Sequence, residues 1–190
     1  MIRIAVVGHL ARTQGDFNVN DLPGSGGRMD VLCRCVNSSF FLSHDLRRDV
    51  ECYLVLCGEP GPDKTIRISG GDVRHLNPDE RSTGAVLKRA LALPVGTSFR
   101  EASPGIAVRY GGLAELAAEF SFVLLDETGR EIRDEPELPG AFLLSDHLNL
   151  TDAERGILSG LPSYSVGPLS LHADHAITVL LNEVDRRRST

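Results

Sequence analysis

Several stretches of this 190-residue chain hold residue types that could do chemistry. In the run Arg28-Met29-Asp30-Val31-Leu32-Cys33-Arg34, Asp30 and Arg34 lie four apart and can pair on a helix. Such a pair is either a surface ion pair or part of a polar face turned toward a substrate. Residues 43–49 crowd His44, Arg47 and Arg48 between apolar segments. That is either a solvated turn or a corner where guanidinium forks grip phosphate. Residues 77–82 place Asp79 and Glu80 in the first turn of a helix, where the helix dipole accounts for the acids without any reaction. His172 and His175 share a helix face and could reach a metal. No strong third ligand stands nearby and the H-E-x-x-H spacing is absent, so no metal is expected.

Two apparent motifs carry nothing. Ser145-Asp146-His147 holds the three residue types of a hydrolase triad, but adjacent residues do not make triad geometry and no nucleophile elbow surrounds Ser145. Gly24-Ser25-Gly26-Gly27 is not the G-x-G-x-x-G of a dinucleotide site, and reads as a flexible loop.

The elements that must position these residues alternate in type. Strand patterns cover 2–7, 50–57, 65–69, 105–110, 120–125, 140–144 and 164–166, with a turn at 126–129 and a tight loop at 167–168. Helix patterns cover 28–42, 78–93, 111–119, 152–160 and 169–187. Asn77 reads as a cap with Pro78 in the first turn, and Thr151 with Glu154 as a capping box. A Gly- and Asn-rich loop at 16–27 precedes the first helix. The alternation predicts a single α/β domain over 1–190, with a mainly parallel sheet flanked by helices.

Composition sets the remaining bounds. Hydrophobic residues make up 42%, enough for a real core. No apolar run has the length of a membrane span, and the first residues read as a buried strand rather than a signal peptide, so a cytoplasmic protein without a membrane partner is expected. Cys33, Cys35, Cys52 and Cys57 fit small buried thiols in a reducing compartment. A net charge of −6 argues against binding nucleic acid through bulk charge, though not against a local basic patch. Residue spacing by itself names no reaction.

A longer pattern does. The string LPGSGGRMDVLCRCVNSSFFLSHDLRRDV at 22–50 resembles the N-terminal signature of the TrmY family. So do LNPDERS at 76–82, SPGI at 103–106, LSDH at 144–147 and LHADHAIT at 171–178, in the family's order and over nearly the whole chain. The resemblance implies a SPOUT α/β-knot fold with a C-terminal trefoil knot, its cofactor-binding part at about 120–190, working as a homodimer. It implies S-adenosylmethionine as cofactor and tRNA as substrate, methylated at N1 of pseudouridine 54.

By that resemblance the cofactor pocket comprises Leu125, then Leu144 and Ser145, then Val166, Gly167, Pro168, Leu169, Ser170 and Leu171, leading to Ala176. Pseudouridine N1 carries a proton that must leave, and an acid nearby could accept it. Asp30 is the first candidate and Asp79 the second. Arg28 and Arg34 would steady charge developing on the base or hold the RNA, and His44, Arg47 and Arg48 would complete the RNA surface. The rival readings are the same chemistry on another pseudouridine, in ribosomal RNA or elsewhere in tRNA, and an RNA-binding module without catalysis.

Overall fold

The computed structural model describes residues 1–188. The chain runs β1 (Ile2–Gly8), α1 (Met29–Phe40), β2 (Val50–Leu56), β3 (Lys64–Ser69), α2 (Glu80–Leu91), β4 (Arg100–Ser103), β5 (Ile106–Tyr110), α3 (Leu113–Glu119), β6 (Val123–Glu131), β7 (Ala141–Ser145), α4 (Asp152–Ile157), β8 (Ser163–Ser165) and α5 (Ala173–Arg188). A single turn of 3-10 helix, Ile132–Asp134, follows β6. The strands form one sheet in the order β4-β5-β3-β2-β1-β7-β6-β8. From β2 to β8 the pairings are parallel. From β2 to β4 they are antiparallel. The sheet is therefore mixed, with the parallel pairings in the majority, as the alternation of elements predicts.

Both faces of the central strands are buried, which is why β1 and β2 read as continuous apolar runs rather than alternating ones. Ile4, Val6, Cys52, Leu54, Ile66 and Ile68 meet α1, α2 and α5 on one face. Ala5, Val7, Tyr53 and Val55 meet α3 and the end of α4 on the other. The helical stripe of α1 is Met29, Leu32, Cys33, Val36 and Phe40, each fully buried. Burying Leu32 or Phe40 contributes roughly 1.5–3 kcal/mol each. Cys33, Cys35 and Cys52 are buried in the core and all four thiols are free. Burial pushes the Cys52 thiol up to about 12, so it behaves as a small apolar side chain.

The entry to α1 is tight. Gly27 has a φ of 62° and Arg28 a φ of 64°, two left-handed residues in succession. A side chain on Gly27 would run into the Leu10 carbonyl. Arg28 is the cap position of α1 yet makes no side-chain capping bond.

Three boundaries differ from the pattern. The helix expected from Pro78 starts at Glu80, because Asp79 is the residue that caps it, accepting from the Ser82 N–H at 2.8 Å. The strand expected to stop at Leu125 continues past a bulge, so that Arg130 and Glu131 pair with Tyr164 and Ser165 of β8. The last helix begins at Ala173 rather than 169, which leaves 166–172 as loop.

Candidate functional site

The parallel half of the sheet creates the site. β6, β7 and β8 run in one direction, so the carboxyl ends of β7 and β8 come to one edge beside the middle of β6, where its pairing is interrupted after Leu125, and this is the kind of place where open α/β sheets bind ligands. A cavity of about 360 Å³ opens there, within the range of pockets that enclose small organic ligands. Leu124 and Leu125 enter from β6, Leu144 and Ser145 from β7, Tyr164 and Ser165 from β8. Loop 146–150, loop 166–172 and the start of α5 close the sides.

Local hydrogen bonds shape these loops. The Ser145 hydroxyl donates to the Leu148 carbonyl, and Asp146 Oδ1 accepts the Leu148 N–H at 2.9 Å. The Ser165 hydroxyl donates to the Gly167 carbonyl at 2.6 Å and turns the chain after β8. These bonds give Ser145 and Asp146 structural partners, so the string Ser145-Asp146-His147 makes no hydrolytic triad.

Of the expected cofactor residues, Leu125, Leu144, Ser145, Val166, Gly167, Leu169, Ser170, Leu171 and Ala176 all line this one cavity. Pro168, in the same loop, is exposed and does not line the cavity. The donor set fits S-adenosylmethionine in kind. Leucine, valine and alanine side chains suit the apolar faces of an adenosyl group, and the carboxylates of Asp126, Glu127 and Asp146 offer partners for cationic groups. Asp126 is kept below its ordinary value by the Thr128 hydroxyl, despite some burial, and so remains charged.

A second cluster joins the first turns of three helices. Asp30, 4% exposed, accepts from Arg28 Nε at 3.0 Å, Arg28 Nη2 at 3.1 Å and Arg34 Nη1 at 3.1 Å. The same Arg34 Nη1 donates to Glu80 Oε1 at 3.1 Å, and Arg34 Nε lies 3.9 Å from Asp174 Oδ2. Burial pushes the Asp30 carboxyl up, but the two guanidinium groups outweigh it and hold the pKa below the ordinary value. The group is therefore an anion at neutral pH. The cluster adjoins the cavity, since Asp174 sits on α5 between cavity residues Ala173 and Ala176, and Arg28 feels the charge of Asp146.

The candidates divide. Arg28, Asp30 and Arg34 come together beside the cavity. Arg34 is flanked by the carboxylates of Asp30, Glu80 and Asp174 and is half-buried. Asp79 is the exposed cap of α2, its carboxylate accepting from the Ser82 hydroxyl at 2.6 Å. His44, Arg47 and Arg48 lie past the far end of α1. Asp174 pairs near Arg34 and Asp185 pairs with Arg47, so the two groups are about 16 Å apart along α5. Arg47 Nη1 and Nη2 meet Asp185 Oδ1 and Oδ2 at 2.7 and 2.5 Å. Arg48 Nη1 donates to the carbonyls of Gly70 at 3.2 Å and Val73 at 3.1 Å. These contacts fasten the loop after α1. Arg47→Ala is expected to cost about 1 kcal/mol, a fall of about 2–4 °C in Tm by calorimetry. An unchanged Tm would mean that the pair holds nothing.

His9, Asp146 and Glu154 have no counterpart among the expected site residues. The His9 ring lies between the two carboxylates, at 2.8 Å from Asp146 Oδ1 and 3.0 Å from Glu154 Oε2. His172 and His175 stack edge to face with ring centres 5.8 Å apart. Among the described residues no group of three or more His, Cys, Asp or Glu is placed to hold a metal ion. No helix among them is long and apolar enough to cross a membrane.

Comparison with known proteins agrees with this geometry. Residues 1–189 match the family model described as "Putative SAM-dependent RNA methyltransferase". The chain is 53% identical over 191 residues to a Methanocorpusculum labreanum protein named tRNA (pseudouridine(54)-N(1))-methyltransferase, with 98% of each chain covered. A Methanospirillum hungatei protein of the same name is 51% identical, over 100% of this chain and 98% of its own. Among solved structures, Archaeoglobus fulgidus Nep1 bound to S-adenosylhomocysteine superposes with a TM-score of 0.71 at 14% identity, covering 100% of this chain and 99% of that one. This likeness places the fold with the SPOUT structures. The chain belongs to the TrmY family of S-adenosylmethionine-dependent RNA methyltransferases.

Proposed function

We propose that this chain transfers the methyl group of S-adenosylmethionine to N1 of pseudouridine 54 in tRNA. The observation that carries the reading is the placement of the Arg28–Asp30 pair beside a cavity formed by the middle of β6 and the ends of β7 and β8. The archaeal relatives' names supply the substrate. Pseudouridine is a chemically apt acceptor, because its N1 carries a proton whereas uridine N1 is bonded to the sugar.

Leu125, Leu144, Ser145, Val166, Gly167, Leu169, Ser170, Leu171 and Ala176 would hold the cofactor, which when bound would supply an activated methyl group. The protein's task is then alignment and charge. Arg28, paired with Asp30 and within reach of the Asp146 charge, would steady negative charge as it develops on the base. Asp30 fixes Arg28 by a bidentate pair and is the nearest candidate to accept the N1 proton, ahead of Asp79, which is committed to capping α2. Because the arginines lower the basicity of Asp30, stabilisation of the anion by Arg28 is the larger part of the work. Arg34 keeps the cluster together, and His44 and Arg48, both exposed, remain the candidates to meet the RNA backbone at a distance from the reacting base, whereas Arg47 is committed to Asp185.

We also infer that the chain acts as a homodimer, that residues 120–188 follow the trefoil-knotted path of the SPOUT cofactor region, and that 1–190 is one domain. Residues 189 and 190 lie outside the described residues. The test is methyl incorporation into two T-arm stem-loops, one with pseudouridine and one with uridine at the same position. Incorporation is expected only into the first. RNA binding without incorporation would sink the reading, and mass spectrometry of RNA from a deletion strain would locate the modified position.

A further inference from the structure

Loop 146–151 forms one wall of the cavity and is fastened at both ends to a single side chain. His9 follows β1, and its side chain is only 9% exposed. Its Nδ1 lies 2.8 Å from Asp146 Oδ1 and its Nε2 3.0 Å from Glu154 Oε2. Its backbone N–H donates to Asp146 Oδ2 at 3.1 Å. Asp146 opens the loop and also accepts the Leu148 N–H. Glu154 closes it, accepting the Thr151 N–H at 2.7 Å and the Thr151 hydroxyl at 2.8 Å. Carboxylates only accept. A neutral imidazole has one N–H, so one of its nitrogens would face an oxygen lone pair to lone pair. Only the doubly protonated ring donates to both partners.

We propose that protonated His9 is a positioning residue for the methyl-donor cavity, holding loop 146–151 in its receiving shape by donating to Asp146 and Glu154 together. The inference rests on the reading of the cavity as the donor site. The surrounding charges favour it. Asp146 and Glu154 face the ring directly. His147 lies 3.2 Å from Asp146 Oδ2. Asp63 and Cys57 stand near Glu154, and Arg28 is close enough to feel the charge of Asp146. The Asp146 hydrogen bond raises the His9 pKa above its ordinary value against the pull of burial. A raised pKa has a definite sign. The contribution of the charged ring is complete below its unperturbed 6.5, and is lost as pH climbs through the raised value.

The experiment is calorimetric titration with S-adenosylhomocysteine from about pH 6 to 9, on the full chain and on His9→Gln and Glu154→Gln. Parent affinity is expected to fall about 10-fold over the pH interval in which the His9 ring titrates by NMR, the effect of losing one charge-assisted hydrogen bond. The His9→Gln amide carries both donors on one nitrogen, which cannot occupy the Nδ1 and Nε2 positions together, so the variant binds about 10-fold more weakly at low pH and, having no titrating ring, shows no such step. Glu154→Gln removes the charge that Glu154 sets against the ring at 3.0 Å, so the His9 titration, and the affinity step with it, is expected at lower pH than in the parent. His9→Gln matching the parent at every pH overturns the inference. If that variant does not fold, Glu154→Gln decides, and an affinity step that stays at the parent's pH overturns it. No binding by the parent at any pH overturns the functional reading and this inference together, whereas parent binding with unaltered variants overturns this inference alone.

Discussion

Asp30→Asn is expected to lower single-turnover methylation of a pseudouridine stem-loop by about 100-fold or more, the scale of losing a proton acceptor or an aligned charge. Affinity for S-adenosylhomocysteine should stay within about 2-fold, because Asp30 is not among the cavity's lining residues. The reason lies in donor counting. Arg28 presents Nε and Nη2 to the two Asp30 oxygens, and Arg34 adds a third N–H. Asparagine has one acceptor oxygen and an NH2, so one guanidinium N–H must face another N–H. Arg28 loses its fixed direction, and the acceptor for the N1 proton disappears as well. The fold should lose some stability too, about 1–3 kcal/mol for a buried, charge-assisted network. Because the arginines hold Asp30 below its ordinary pKa, its contribution is present above the unperturbed 3.8 and is lost only as pH falls through the lower folded value. The parent rate should therefore show no acid limb from this group at pH 5 and above. A variant that turned over at the parent rate would take Asp30 out of the reaction.

Ala176→Phe should have the second large effect, a loss of about 100-fold or more in affinity for S-adenosylhomocysteine with little change in Tm. Ala176 is half-buried in the first turn of α5 and lines the cavity, and its N–H donates to the His172 carbonyl at 2.9 Å. A phenyl ring at this position takes up part of a space of about 360 Å³ and leaves too little for an adenosyl group. The ring enters that space rather than the packed core, so the overpacking penalty of roughly 1–3 kcal/mol is largely avoided. Calorimetry on the ligand and differential scanning on the protein separate the two quantities. Undiminished binding would place the methyl donor elsewhere.

Local pattern made part of this legible in the sequence. The stripe Met29-Leu32-Cys33-Val36-Phe40 repeats every three or four residues, and it is the buried face of α1. The Asp30–Arg34 pair is a four-residue spacing and could be read directly. β4 could not. Its residues Arg100–Ser103 form an edge strand whose side chains are exposed or half-exposed, so no apolar alternation marks it. The start of α5 was masked by Leu169 and Leu171, which look like a helical stripe but are 75% and 42% exposed in the loop beside the cavity. The cavity itself draws on three strands and two loops, and only the family pattern named its residues together. His9 shows the same limit. Its partners Asp146 and Glu154 are 137 and 145 residues away, and no short motif encodes that distance. Arg47 looked like a phosphate grip because Asp185, its partner, is 138 residues further on.

The left-handed backbone at Arg28 carries a consequence for how this chain can drift. An L-residue with a side chain costs about 1–2 kcal/mol in that conformation, whereas glycine adopts it freely. Selection for stability would favour glycine at 28, next to the glycine already at 27. That replacement would also delete the guanidinium that answers Asp30 beside the cavity. The position is thus a trade-off in which a more durable protein is a less capable one.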